Sequence, residues 1–233
     1  MRTLVFDVDD TLYDHTSPFR RAVYRTIEFP EQYIEALYVA FRKHSDAMFE
    51  ATETGALSLE DMRLARIQRA CLEFDVEIDE AVAAAFQAEY LAHQGEIELA
   101  PAMREVLDYC RETGIPMAVI TNGPTEHQWR KIKQLGLEQW IARDRIVISS
   151  EVGVAKPDTS IFRMVEERCG VSAEELVYIG DAYENDIIGA KDAGWQAIWL
   201  NRRLRESLEV PARQDYELHS DTEVLATIQQ VFK

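Results

Sequence analysis

The chain has 233 residues, of which 47% are hydrophobic, and a formal net charge of -17 at pH 7. This length suits one large domain or a core with a smaller insert, and it can bury a substantial apolar interior. The negative charge excludes nonspecific binding to polymeric nucleic acid, which requires clustered Lys and Arg. Two short basic groups, interleaved with apolar or acidic residues, are expected on solvated surfaces: Arg130, Lys131 and Lys133, and Arg202, Arg203 and Arg205.

The cysteines Cys71, Cys110 and Cys169 are widely spaced and odd in number. Such spacing indicates neither a disulfide framework nor a zinc site, so we expect reduced thiols in a cytoplasmic protein. The N-terminus lacks the basic and long apolar regions of a signal peptide, and no apolar run approaches the roughly 18 residues of a membrane span. We therefore expect a soluble protein without a membrane partner. Monomer and homodimer both stay open.

The first apolar run lies within Leu4–Asp14, which reads LVFDVDDTLYD. It predicts a strand that delivers Asp7 and Asp9 to its carboxyl edge, where open α/β sheets bind their ligands. Several carboxylates crowded at one strand end repel one another unless a cation compensates them. A divalent metal is therefore expected beside this strand.

Residues from Ser17 to about His93 show helical patterns and hardly a strand candidate. The segment Ser58–Asp61 resembles a capping box that starts a helix, and Asp79 is a candidate cap for the next one. An insert after the first strand is able to cover an active site and to select the substrate. The expected domains are a core of residues 1–15 and 95–233 and an all-helical cap of residues 16–94.

Several large side chains of the helical segment recur at helical spacing, which predicts core positions rather than ligand contacts: Tyr33, Tyr38, Phe41, Met48 and Phe49. Arg20 and Arg21 follow the first strand closely enough to reach a distal anion on a substrate. His15 is interpreted as a linker residue.

From Pro101 onward, strand and helix candidates alternate. Alternation of this kind predicts right-handed βαβ crossovers, and hence an α/β fold with a mostly parallel sheet and helices on both faces. The strand candidates are Met117–Ile120, Arg145–Ile148, Leu176–Ile179 and Gln196–Leu200. Helices are predicted from Pro101 to Gly114, up to Leu135, over Asp158–Cys169 and over Glu184–Ala193.

The first strand is followed directly by the acidic patch Asp7–Thr11. A carboxylate can attack phosphorus to form an aspartyl-phosphate, while a nearby carboxylic acid protonates the leaving oxygen. Asp7 and Asp9 fit this division of labour. The alternative is that Asp9 and Asp10 only make turn hydrogen bonds.

Three later patches also follow strand candidates. The segment Thr121–Gly123 offers a hydroxyl, backbone N–H groups and a glycine as a phosphate cradle. Lys156 is able to neutralise a transferring group. Asp181 is placed to bind a hard cation through oxygen, and Asp186 to support the metal's waters or to orient Lys156. Mg²⁺ suits such a site because it keeps several waters. Each patch has a structural alternative. Thr121–Gly123 could only cap the next helix, Lys156 could be a surface lysine, and Asp181 and Asp186 could only make turn and capping hydrogen bonds.

The four patches occur in the order Asp-x-Asp-x-Thr, Thr-Asn-Gly, Lys-Pro-Asp and Gly-Asp-x4-Asp. In this order the chain resembles the haloacid dehalogenase superfamily of hydrolases, over about Met1–Asp14 and Ala100–Leu200. The resemblance implies a Rossmann-like core with a helical cap after the first motif. It further implies a Mg²⁺ requirement and, as in most members, hydrolysis of phosphate esters.

Carried onto this sequence, the resemblance makes Asp7 the nucleophile and Asp9 the general acid and then base. The residues of Thr121–Gly123 and Glu151–Asp158 resemble the branch that contains pyrimidine 5′-nucleotidases and acylneuraminate-9-phosphatases, which favours a nucleoside 5′-monophosphate or a sugar phosphate as the substrate. The other implied roles are phosphoryl binding by Thr121, Asn122 and Gly123, charge balance by Lys156, Mg²⁺ binding by Asp7, the backbone carbonyl of Asp9 and Asp181, and support by Thr11 and Asp186.

Four alternatives differ in chemistry from a phosphatase. A 2-haloacid dehalogenase needs neither a metal nor an acid two residues after its nucleophile, so Asp9 disfavours it. A phosphoglucomutase-like transferase shares the Asp-x-Asp pair and the helical cap. A response-regulator receiver is about half this length, and its phosphorylated Asp follows a later strand. A binding protein without catalysis is possible on the same fold.

Overall fold

The computed structural model describes residues 2–48, 51–52, 54–204 and 212–233, without the side chain of Asp46. Within this part, the apolar runs form a six-stranded sheet in the order β3-β2-β1-β4-β5-β6, and every pairing is parallel. The predicted α/β fold with a mostly parallel sheet is confirmed. The strands are β1 (Thr3–Phe6), β2 (Met117–Thr121), β3 (Ile146–Ile148), β4 (Leu176–Gly180), β5 (Gln196–Leu200) and β6 (Tyr216–Leu218).

Strand β1 lies in the middle of the sheet, between β2 and β4. Val5 is opposite Ala118 on one side and Tyr178 on the other, and all three are fully buried. The strand order reverses direction at β1, which is the position where open α/β sheets form a crevice at their carboxyl edge. The loops after β1, β2 and β4 therefore meet at one place.

The chain divides into two compact units, Met1–Asp14 with Glu98–Lys233, and His15–Ile97. We call the first the core unit and the second the helical unit. Within the core unit, the two chain segments that flank the insert are held side by side, because the N–H of Ala100 donates to the carbonyl of Leu12 at 3.0 Å.

The helical unit contains α1 (Ser17–Thr26), α2 (Ile34–Ala47), α3 (Leu59–Leu72) and α4 (Glu80–Gln94). Both predicted caps are confirmed: Ser58 accepts from the N–H of Asp61 at 3.0 Å, and Asp79 accepts from the N–H of Val82 at 2.8 Å. Each cap satisfies a backbone donor that the first helical turn leaves without a partner.

Aromatic rings fill the interior of the helical unit, where the centroids of Phe19 and Phe41 lie 5.0 Å apart. Phe41, Tyr38 and Met48 are buried as predicted. The core prediction is wrong for Tyr33, which is 49% exposed because it lies in a short 3-10 turn before α2. Phe49 lies outside the described residues.

In the core unit, the helices are α5 (Pro101–Thr113), α6 (Thr125–Gln134), α7 (Ser149–Val152), α8 (Thr159–Cys169), α9 (Gly189–Asp192) and α10 (Val224–Val231). The predicted helix at Glu184 begins as a π-helical turn over Tyr183–Ile188. Strand β6 and helix α10 were not predicted, and β6 has only three residues, too few for a visible pattern. No helix in the described ranges has the length and apolar character of a membrane span.

The prediction of a solvated surface is wrong for Arg202 and Arg203, whose side chains are only 16% and 14% exposed. Arg203 pairs with the carboxylate of Asp10, and Arg202 donates to the carbonyl of Thr11 at 2.8 Å. The partners belong to the turn after β1, far away in sequence. Arg205 lies outside the described residues.

Close packing at the end of β4 makes Gly180 a test of this fold. A Cβ at this position would overlap the carboxylate of Asp186, so Gly180→Ala should destabilise the protein by about 1–3 kcal/mol, the usual cost of overpacking. Urea denaturation measures the change. Gly95→Ala is the control, because Gly95 has a helical φ of -79° and a Cβ there would lie 3.2 Å from the carbonyl oxygen of Ala92, a milder contact than the overlap at Gly180. Equal stability of the two variants would contradict the prediction.

Candidate active site

Asp7 is buried at the carboxyl end of β1, with 5% of its surface exposed. Its backbone N–H donates to the carbonyl of Ile179 at 2.9 Å, which continues the pairing with β4. One side-chain oxygen accepts from Lys156 Nζ at 2.7 Å, and the other accepts from Thr11 Oγ1 at 3.1 Å. The carboxylate is therefore fixed through both its backbone and its side chain.

Lys156 is buried as well, so the alternative of a surface lysine is wrong. Its ammonium donates to Asp186 Oδ1 at 2.6 Å and to the hydroxyl of Tyr178 at 2.8 Å, in addition to Asp7. A fourth contact, at 3.2 Å, reaches the carbonyl of Ile120. A buried charge persists only when it is paired and hydrogen-bonded, and here two carboxylates supply the pairing.

Asn122 holds the loop that carries Lys156. Its side-chain oxygen accepts from the N–H of Lys156, and its amide nitrogen donates to the carbonyl of the same residue, both at 2.9 Å. The N–H of Gly123 donates to Ser149 Oγ at 2.9 Å. Asn122 thus positions the lysine, a role that the sequence did not predict.

Thr121 ends strand β2 and is fully buried. In the described part of the chain, its hydroxyl oxygen has no hydrogen-bond partner. A buried polar group without a partner costs about 1–3 kcal/mol. A ligand oxygen placed beside β2 would remove that cost, so the residue fits a ligand-binding role.

Three carboxylates meet where β1 and β4 end. Oxygens of Asp7, Asp181 and Asp186 all lie within 4.8 Å of one another. The N–H of Ala182 donates to Asp186 at 3.0 Å, and the indole of Trp199 donates to the carbonyl of Asp181 at 2.9 Å, so the loop after β4 is well fixed. Donors that consist only of oxygen suit a hard divalent cation.

The electrostatics of the group also fit a cation. Burial raises the pKa of Asp7 to about 7, and the charges of Asp186 and Asp9 add to the rise while Lys156 opposes it. Burial alone would lower the pKa of Lys156, but Asp186 and Asp7 outweigh it and hold that pKa well above its usual value. Two carboxylates share one ammonium, so a bound divalent cation would favour the ionised form of Asp7.

The carboxylate of Asp9 is held by a different set of residues. Its two carboxylate oxygens accept from Lys131 Nζ at 2.6 and 2.7 Å, and one accepts from Gln128 at 3.0 Å. The hydroxyl of Tyr13 also donates to Asp9. The prediction of a solvated surface is wrong for Lys131, whose side chain is only 12% exposed. The three-residue spacing of Gln128 and Lys131 on α6, which puts both on one face, is the signal that could have found them.

Tyr178 is a further residue that sequence reasoning missed. In an apolar strand it looks like an ordinary core position, yet its hydroxyl contacts Lys156, Asp186 and the carbonyl of Ile120. Burial and the neighbouring Asp186 raise the pKa of Tyr178 well above its usual value, so the phenol stays protonated. It is therefore a neutral group that orients the ion pairs.

The sequence matches the haloacid dehalogenase-like hydrolases over residues 1–194. The chain belongs to this family. A glyceraldehyde 3-phosphate phosphatase of Methanopyrus kandleri is 29% identical over 243 aligned residues, covering 100% of this chain and 99% of that protein. A phosphoserine phosphatase of Thermus thermophilus is 30% identical, covering 88% of this chain and 90% of that protein.

The fold is also that of a solved member, the HAD-hydrolase YfnB from Bacillus subtilis, whose structure was determined bound to magnesium. Its TM-score is 0.66 at 22% identity, with coverage of 97% of this chain and 98% of that one. The resemblance that the four motifs indicated is therefore confirmed. By enzyme class, the protein is a phosphatase.

The contacts of Tyr178 generate a prediction about the phosphatase. Tyr178→Phe keeps the ring and removes the hydroxyl that orients Lys156, so kcat for p-nitrophenyl phosphate should fall roughly tenfold, the size of one hydrogen bond to a charged group. The KM should change less, because the overall charge of the site is unchanged. Tyr109→Phe on α5 is the control, and an unchanged kcat in Tyr178→Phe would remove this role.

The raised pKa of Asp7 predicts how stability depends on pH. Since the folded protein binds this proton more tightly than the unfolded chain, ionisation of Asp7 should destabilise metal-free protein as pH rises from about 4 to about 7. Asp7→Asn does not ionise, so the wild type should lose stability relative to this variant across that window. Urea denaturation at several pH values measures the difference, and a constant difference would contradict the assignment.

Proposed function

We propose that the chain is a Mg²⁺-dependent phosphomonoesterase that acts on a small phosphorylated metabolite through an aspartyl-phosphate on Asp7. The observation that carries the proposal is the buried Asp7 carboxylate, held by Lys156 and Thr11 within 4.8 Å of the oxygens of Asp181 and Asp186. The hydroxyl of Thr121, at the end of the adjacent strand, has no partner among the described residues, which supports binding of the phosphoryl group.

In the first step, a carboxylate oxygen of Asp7 attacks phosphorus and the bond from phosphorus to the alcohol oxygen breaks. Asp9 gives its proton to the departing oxygen, so that the alcohol leaves neutral. Lys156 balances negative charge on the nucleophile and the phosphoryl oxygens. The fixed side chain of Asp7 supplies the orientation that in-line attack requires.

In the second step, Asp9 is a carboxylate and takes a proton from water. The water oxygen attacks phosphorus, the bond to Asp7 breaks, and inorganic phosphate leaves. Asp7 is a carboxylate again, and Asp9 carries the proton that the next cycle uses. Asp9 therefore alternates between acid and base, as its place two residues beyond the nucleophile allows.

The proposed metal site consists of Asp7, the backbone carbonyl of Asp9 and Asp181, with Asp186 in support. When bound, Mg²⁺ supplies positive charge that stabilises the phosphoryl oxygens and the ionised nucleophile. The oxygen donors and the raised pKa of Asp7 support this proposal.

For the substrate, the relatives named for glyceraldehyde 3-phosphate and phosphoserine support a small phosphate monoester. The choice between a sugar phosphate and a nucleoside 5′-monophosphate stays a prediction. We further propose that the helical unit is the inserted domain that selects the substrate, which the division at His15 and Ile97 supports. The free thiols of the three cysteines support a cytoplasmic location.

The role of Asp7 gives a direct test. Asp7→Asn should abolish phosphate release, because an amide cannot serve as the nucleophile. Release of p-nitrophenol and of phosphate from a panel of sugar phosphates, phosphoserine and nucleotides is measured with Mg²⁺ and after its removal by EDTA, which should also abolish turnover. Asp192→Asn, at an exposed carboxylate, is the matched control. Near-full activity of purified Asp7→Asn would refute the proposed nucleophile.

The role of Asp9 gives a test that depends on the leaving group. Asp9→Asn should slow the hydrolysis of alkyl phosphates far more than the first step with p-nitrophenyl phosphate, because a good leaving group needs little protonation. Single-turnover rates of the two esters measure the first step. An equal loss for both would show that Asp9 does not act as the general acid.

A further inference from the structure

The helical unit contains a partly buried cation, Arg66 on α3, that the proposed chemistry does not use. One guanidinium nitrogen donates to Ser45 Oγ at 3.3 Å, and another donates to Gln87 Oε1 at 2.9 Å. The carbon of the guanidinium lies 4.3 Å from the ring centroid of Phe41 and 5.9 Å from that of Tyr90. Arg66 thus lies between α2, α3 and α4, and its guanidinium packs against two aromatic rings.

Among the described residues, no carboxylate pairs with Arg66. Other arginines of the helical unit do have acidic partners, since Arg20 pairs with Glu35 at 2.6 Å and Arg25 pairs with Glu89 at 3.1 Å. In a protein with a net charge of -17, a partly buried arginine that pairs with no acid of the described ranges is unexpected.

Two other arginines interact with Arg66. Burial, together with the guanidinium groups of Arg63 and Arg42, lowers the pKa of Arg66 to about 10, although Tyr90 and Tyr38 oppose the fall. A negative group beside Arg66 would relieve both the burial and the repulsion.

Two donors at this place also lack an acceptor. Arg66 Nε and Gln87 Nε2 are buried and have no hydrogen-bond partner in the part of the chain described. Because a guanidinium only donates, Gln87 has to present its oxygen to Arg66, and its amide nitrogen is left to find an acceptor elsewhere. Both donors therefore lack a hydrogen-bond acceptor, and an acceptor that carries negative charge forms the strongest hydrogen bonds with such donors.

We propose that Arg66, together with Ser45 and Gln87, forms an oxyanion-binding site within the helical unit, which takes a carboxylate or phosphate group of a small molecule. A guanidinium fork matches two oxygens of such a group at once. The aromatic rings of Phe41 and Tyr90 lie against the guanidinium, and the donors that lack an acceptor in the described part of the chain, Arg66 Nε and Gln87 Nε2, are the groups proposed to contact the oxyanion. The oxyanion belongs either to a free metabolite or to a second anionic group of the substrate.

Binding is tested directly with succinate and with inorganic sulfate, titrated calorimetrically into metal-free, full-length protein. We expect the wild type to bind, Arg66→Met to bind at least about tenfold more weakly, and Arg66→Lys to fall between them because it keeps the charge without the fork. Arg69→Met, at an exposed arginine three residues further along α3, should match the wild type. Circular dichroism checks folding, and Arg66→Lys decides the matter if Arg66→Met does not fold. Equal binding by wild type and Arg66 variants, or no binding by the wild type, overturns the proposal.

Kinetics distinguish the two sources of the oxyanion, and this arm rests on the proposed function. Phosphoserine and phosphoethanolamine differ only by a carboxylate, so the ratio of their kcat/KM values isolates that group. A ratio that falls about tenfold in Arg66→Met, but not in Arg69→Met, assigns the site to the substrate. An unchanged ratio with lost succinate binding assigns it to a free anion. If the wild type hydrolyses neither ester, the proposed function fails for these esters while calorimetry still decides the site at Arg66.

Discussion

The buried ammonium of Lys156 is the constraint on which the core unit depends. It is shared by Asp7 and Asp186, so it joins the end of β1 to the loops after β3 and β4. Removing one member of such a set leaves an unpaired buried charge, which is strongly destabilising. Stability and chemistry are therefore coupled here, because the groups proposed to handle the phosphoryl group also form the buried ion pairs of the core unit.

Much of this arrangement could be predicted from the sequence, because its parts are local. The central strands are continuous apolar runs that end in Asp, Thr or Gly, and parallel strands bring their carboxyl ends to one edge. That rule alone predicts that Asp7, Thr121 and Asp181 converge. The role of Lys156 was harder to predict, because a lysine before a helix looks like a surface residue until the position of its loop is known. That position depends on Asn122, which is distant in sequence.

The residues that sequence reasoning missed depend on orientation rather than on pattern. Lys131 lies in a basic run typical of a solvated helix face, and only the turn of α6 toward the loop after β1 brings it to Asp9. Tyr178 fits an apolar strand by its ring, and its hydroxyl matters only because Lys156 is beside it. Arg66 occupies an ordinary helical position, and its lack of an acidic partner among the residues that the structure describes is a property of the packed helices. Such facts require the three-dimensional arrangement of at least two elements.

The hydrogen bond between Ala100 and Leu12 has a consequence for how this protein can be varied. It fastens the entry and exit of an 83-residue insert, His15–Ile97, to each other within the core unit. An insert whose ends are already closed costs little extra chain entropy as its length changes, since that cost grows only with the logarithm of length. The helical unit is thus attached as an exchangeable module, and a different module on the same two ends would leave the register of β1 between β2 and β4 intact.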